Sequence, residues 1–155
     1  MSKQKIILLE ILWVITALII AAIFIFPIYY YAPNYSFLAA NAVCIFVFVT
    51  YTRLMFFVNT SFLTWHTGIK LGLILVAVPI IFKLIEALNN FTTYLDYNGS
   101  DAFFGYLPDS LHMKLDLYMR NEYVFFNVAA ILSSVIFPIF LIVSIWRKRN
   151  QGKHI

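Results

Sequence analysis

The sequence predicts an all-α membrane protein: a bundle of four transmembrane helices, with a short amphipathic helix or hairpin in the loop between helices 3 and 4. Three observations predict it. Of the 155 residues, 63% are hydrophobic and only 12% are charged, whereas soluble domains hold roughly 45–50% apolar and about 25% charged residues. Four apolar runs each approach the ~20 residues that span a bilayer core. The basic residues also fall unevenly between the connections, as orientation in a membrane requires.

The first span covers about 6–28 and is interrupted only by Glu10 and Pro27. Lys3 and Lys5 ahead of it resemble the positive start of a signal peptide, but the run exceeds the usual ~7–15 apolar residues and no small-x-small cleavage site follows. It is expected to be retained, with Tyr29, Tyr30 and Tyr31 as an interfacial anchor. Pro33-Asn34 supplies a turn. The second span, about 37–58, contains Asn41, Cys44, Thr50, Thr52 and Arg53. A short polar connection with Trp65 and His66 leads to the third span, about 69–90, which carries Lys70, Pro79, Lys83 and Glu86. The fourth, about 123–146, holds Ser133, Ser134 and Pro138 and stops at Arg147-Lys148-Arg149. A serine hydroxyl there is expected to satisfy part of the carbonyl that Pro138 frees. The whole chain, 1–155, reads as a single transmembrane domain.

Between the last two spans lies an outer loop, 89–122. Leu111, Met113, Leu115, Leu117 and Met119 alternate with polar residues, a period that suits a strand. Pro108-Asp109-Ser110 is a good helix start, however, and Leu111, Leu115 and Tyr118 share a helical face. A single strand would leave its backbone edge unpaired. The expectation is therefore a helix on the membrane surface that runs into the fourth span.

With the N-terminus cytoplasmic, that side collects Lys3, Lys5, Arg53, Lys70, Arg147, Lys148, Arg149 and Lys153, and the opposite side Lys83, Lys114 and Arg120. Both termini are thus expected inside and the 89–122 loop outside. The net charge of +4 follows from this bias and does not indicate a nucleic-acid partner. Small size and the missing signal peptide suggest a bacterial cytoplasmic (inner) membrane.

Ionisable groups within spans are functional candidates by default, because hydrocarbon solvates them poorly. From a rise of ~1.5 Å per residue, Glu10, Arg53 and Lys70 share a layer near the cytoplasmic face, where Glu10 can pair with Arg53 or Lys70. They form either a structural clamp or half of an ion path. Near the outer face, Lys83 and Glu86 are three residues apart on one helix, and Asn41 and Asn127 lie at similar depth. These four form either a small polar cavity or a set of snorkelling, locally paired side chains.

No cofactor or metal is indicated: His66 and His154 fall inside, His112 outside, and none lies mid-span. The single Cys44 excludes an intramolecular disulfide and reads as a small hydrophobe. Phe126-Asn127-Val128-Ala129 resembles the Phe-Asn-x-Ala segment of lipoprotein signal peptidases, which are four-helix membrane aspartyl enzymes. That family's catalytic Asp follows the segment, and Ala130 stands there instead. Its second Asp, on the third helix, is also missing, with Glu86, Asn89 and Asn90 nearby. Two carboxylates that share a proton are needed for such a reaction, so the resemblance implies no activity. The layout of a short first loop and a longer second one is similar to that of tetraspanins, but without their loop cysteines.

The leading expectation is a non-enzymatic accessory or scaffold subunit that binds a membrane-protein partner, or a second copy of itself, through its outer loop and helix faces. The alternative is a small transporter or channel component whose charged layers line a path. A third reading is a lipid-modifying enzyme using Glu86 or His112.

Overall fold

The structure, a computed structural model, describes residues 3–150; Lys153 and His154 lie outside the described residues. The described residues contain five α-helices, two 3-10 turns and no strand. The helices are α1 (Lys3–Tyr31), α2 (Leu38–Phe56), α3 (Thr67–Asn98), the single-turn α4 (Asp101–Phe104) and α5 (Asp109–Asn150). Of these, α1, α2, α3 and α5 are long and apolar enough to cross a membrane.

Each helix ends where backbone chemistry requires it. After Tyr31 the Ala32 N–H still bonds the Ile28 carbonyl at 2.8 Å, but Pro33 has no N–H with which to continue. The 57–66 connection is held by Ser61, whose buried hydroxyl accepts from the Leu63 N–H at 3.3 Å and donates to the Val58 carbonyl at 2.9 Å. α3 stops at Gly99, where φ is +66° and ψ −172°, a conformation essentially reserved for glycine. At Pro138 the expected serine compensation does not occur. The Ser133 hydroxyl bonds the Ala130 carbonyl instead, at 3.0 Å, and the Ser134 hydroxyl has no partner.

The expected outer loop is not a loop. Residues 89–98 are the last turns of α3, and 109–122 are the first turns of α5, so the connection is only 99–108. The 109–120 segment is helical, as expected, and forms one uninterrupted helix with the fourth apolar run. The reason lies in the i, i+4 spacing. Leu111, Leu115 and Met119 fall on one helical face, against the end of α3, whereas Met113 and Leu117 fall on the other and are exposed. A period-two pattern can therefore sit on a helix that is apolar on both sides.

At about 1.5 Å per residue, the 32 residues of α3 and the 42 of α5 extend about 48 and 63 Å, well beyond a ~30 Å hydrocarbon core. Their excess length forms an antiparallel helical hairpin with its own core of Phe91, Leu95, Phe103, Phe104, Leu115, Met119 and Tyr123. The Phe91 and Tyr123 rings stack there with centroids 3.9 Å apart. Ile28 near the end of α1 and Ala32 and Tyr35 from the α1–α2 turn join this core, which fixes the hairpin to the end of the helices. The midsection is closed by Ala21, Ile25, Ile45, Leu84, Phe126 and Ala130. Tyr51, Leu54, Leu63, Phe137 and Leu141 fill the opposite, basal end. α5 packs against both α2 and α3, and α1 packs mainly against α2.

Candidate functional site

Apart from the Ser133 and Ser134 hydroxyls of α5, the buried polar side chains of the helical midsection and its ends fall into two groups, one toward each end. At the basal end, α1 brings Glu10 to Arg53 of α2, and the two form an ion pair. The second oxygen of Glu10 accepts the Phe62 N–H at 3.2 Å, so the pair also anchors the 57–66 connection. The Arg53 guanidinium lies 5.7 Å from the Trp13 ring centroid, within the range of a cation–π contact. With side-chain exposures of 4% and 21%, Arg53 and Glu10 leave beside them only about 20 Å³ of space, enough for about one water molecule. Lys70 is not part of this pair. Its ammonium donates to the Ser144 hydroxyl of α5 at 2.7 Å.

At the hairpin end the four expected residues do not come together. Lys83 and Glu86 pair with each other at 2.7 Å on the outside of α3, 79% and 55% exposed. Asn41 and Asn127 are fully buried, and each has a different partner. Asn41 Nδ2 donates to Glu122 Oε2 at 2.6 Å, and Asn127 Nδ2 donates to the Cys44 sulfur at 3.1 Å. Cys44 is thus a hydrogen-bond acceptor as well as a small apolar residue.

Glu122 is the residue that sequence reasoning misses, because it falls at the end of the 89–122 segment expected to be the outer loop. It is 6% exposed, and no Lys, Arg or His pairs with it among the described residues. A signal was available. Leu115, Met119, Glu122, Phe126 and Ala130 occupy one stripe at helical spacing, and all are buried. Around Glu122 several buried polar atoms lack a partner: its own Oε1, the Oδ1 atoms of Asn41 and Asn127, and the Tyr35 hydroxyl. Burial, and then the neighbouring Glu122 carboxyl, hold the Tyr35 phenol far above its ordinary ionisation range. An open groove of about 550 Å³ reaches Glu122 between Phe24, Tyr118 and Phe126.

The hairpin tip carries a Ser–His–Asp grouping that does not form a catalytic relay. His112 Nε2 lies 3.1 Å from the Ser100 hydroxyl and 3.4 Å from Asp101 Oδ1. In a relay, one ring nitrogen faces the nucleophile and the other the orienting carboxylate. Here both neighbours face the same nitrogen, so His112 ties α5 to the tip. Among the described residues, no group of three or more His, Cys, Asp or Glu side chains is arranged to hold a metal ion. The chain matches no family model, no characterised protein and no solved structure.

Proposed function

We propose that this chain is a multi-pass integral membrane protein acting as a non-enzymatic accessory or scaffold subunit, which holds a membrane-protein partner through its projecting hairpin and helix faces. One observation carries the reading. Each charged side chain of the two pairs has its counter-charge within the chain, Glu10 with Arg53 and Lys83 with Glu86. Among the described residues the section between the two polar groups holds no buried charge, only the Ser133 and Ser134 hydroxyls interrupting its apolar side chains. A transport path would need polar continuity across that section.

Two further features support it. Large apolar side chains point outward along α1 (Leu8, Ile23, Phe26) and α3 (Leu75, Phe82), a surface that lipid would cover and water would not. On the hairpin, beyond the third apolar run, Tyr97, Tyr106 and Met113 are strongly exposed, as suits a contact surface rich in aromatic and Met side chains. In this reading the basic basal end faces the cytoplasm with both termini, the hairpin lies outside, and the membrane is a bacterial inner membrane. The test is extraction from native membrane in mild detergent: a stoichiometric partner is expected, and a chain that purifies alone as a monomer counts against the proposal.

A second reading, a small transporter component, has one observation in its favour. Glu122 is buried without a cation among unpartnered oxygens and is reached by a groove. Proteoliposomes would show proton or cation flux that is abolished by Glu122→Gln if this reading holds.

A further inference from the structure

The basal end contains a second arrangement, unconnected to the Glu10–Arg53 pair. A groove of about 490 Å³ runs between the 57–66 connection, the start of α3 and the last turns of α5. Its polar lining is Lys70, Arg147, Lys148, Thr64 and Ser144, and its apolar lining includes Phe140. Among the described residues, three cations line it and no carboxylate does.

Lys70 makes this more than a basic helix end. It is only 7% exposed, and its one hydrogen bond goes to a neutral hydroxyl, Ser144 Oγ at 2.7 Å. An ammonium offers three donors, so two have no protein partner among the described residues. A buried cation is ordinarily matched by an anion, because its lost hydration is otherwise uncompensated. Lys148 is close enough to Lys70 to repel it, which increases the need for a counter-charge. Arg147 and Lys148 in the last helical turn already complement the α5 dipole, but that role leaves Lys70 unexplained.

We infer that this groove is a binding site for a phosphate group carried by an anionic phospholipid, with the phosphate among Lys70, Arg147, Lys148 and the two hydroxyls, and an acyl chain along Phe140. The inference rests on the membrane reading above, since only a membrane protein presents this end to lipid headgroups. Half-polar, half-apolar walls suit an amphiphile better than a free ion.

The test uses the full chain in a neutral detergent, with its thermal midpoint followed as phosphatidylglycerol, phosphatidylcholine or inorganic phosphate is added. Phosphatidylglycerol is expected to raise the midpoint, and phosphatidylcholine and inorganic phosphate to leave it nearly unchanged. Lys70→Gln removes a charged hydrogen bond and should raise the half-saturating lipid concentration about tenfold or more. Should that variant not fold, the exposed pair Arg147→Gln/Lys148→Gln should produce the same loss, while Lys83→Gln at the opposite end should not. Equal stabilisation by the two lipids, or an unchanged preference in both groove variants, overturns the site. Inorganic phosphate acting as well as the lipid overturns the lipid assignment. Alkaline extraction of native membranes checks the underlying reading separately, because a chain released into the wash is not integral.

Discussion

Asn41 and Glu122 stand 81 positions apart in the chain and meet inside the protein, Nδ2 to Oε2, at 2.6 Å. This contact joins α2 to α5 at the level where the helical hairpin leaves the midsection. Among the described residues it is the only hydrogen bond of either side chain, and both retain an unpartnered oxygen. Its disruption therefore tests the packing of α2 on α5 directly.

Asn41→Leu should destabilise the protein by about 1–3 kcal/mol, because it strands a buried carboxyl. Glu122→Gln keeps an acceptor for Asn41 and removes the cost of burying a charge, so its thermal midpoint in detergent should equal or exceed that of the parent. A large loss for Glu122→Gln would mean that the carboxylate charge itself is needed there.

The Glu10–Arg53 pair leads to the opposite expectation. Glu10→Gln leaves the buried Arg53 guanidinium without its counter-charge, and breaking a buried pair from one side costs about 3–5 kcal/mol. The 21% exposure of Glu10 places the effect near the lower end of that range. Glu10→Gln combined with Arg53→Met should recover part of the loss, as a double-mutant cycle in detergent would measure. An unchanged midpoint in Glu10→Gln would remove the clamp.

Lys83→Met should be nearly silent. Its pair with Glu86 is exposed on both sides, and exposed pairs contribute about 0–1 kcal/mol. Insertion and thermal midpoint are the readouts, and a severe defect would show that Lys83 has a partner outside this chain.

The hairpin tip depends on two glycines for different reasons. Gly99 holds a φ of +66°, so Gly99→Ala should cost about 1–3 kcal/mol in backbone strain. A Cβ on Gly105 would approach the Asp101 carbonyl oxygen to 2.6 Å, and the overpacking should cost about 1–3 kcal/mol. Both variants should increase protease cleavage within 99–108 before any loss of overall helicity by circular dichroism.

The parts legible in the sequence were those written in local hydropathy and turn chemistry. Pro33 marks the end of α1, and the four apolar runs fall on α1, α2, α3 and α5. The polar content of 91–98 lowers its hydropathy and hides the continuation of α3, although polarity does not end a helix; for 109–120 the helix start at Pro108-Asp109-Ser110 already points to the helix that α5 shows. Glu122 ends the 89–122 segment, so its burial is not legible from local polarity. Lys70 was grouped with Glu10 by depth, yet it bonds Ser144, because depth along a helix does not state which way a side chain points around it.

The sequence alone determined an all-helical chain with four stretches that suit hydrocarbon, since helix length and apolar content are properties of consecutive residues and need no partner. Only the tertiary structure decided which polar groups meet: Asn41 with Glu122, Asn127 with Cys44, and Lys70 with Ser144. Those pairings depend on how each helix is rotated about its own axis. That rotation is set by interlocking side chains such as Phe91 with Tyr123 and Tyr51 with Phe137, whose members lie far apart in the chain and leave no mark in any single segment.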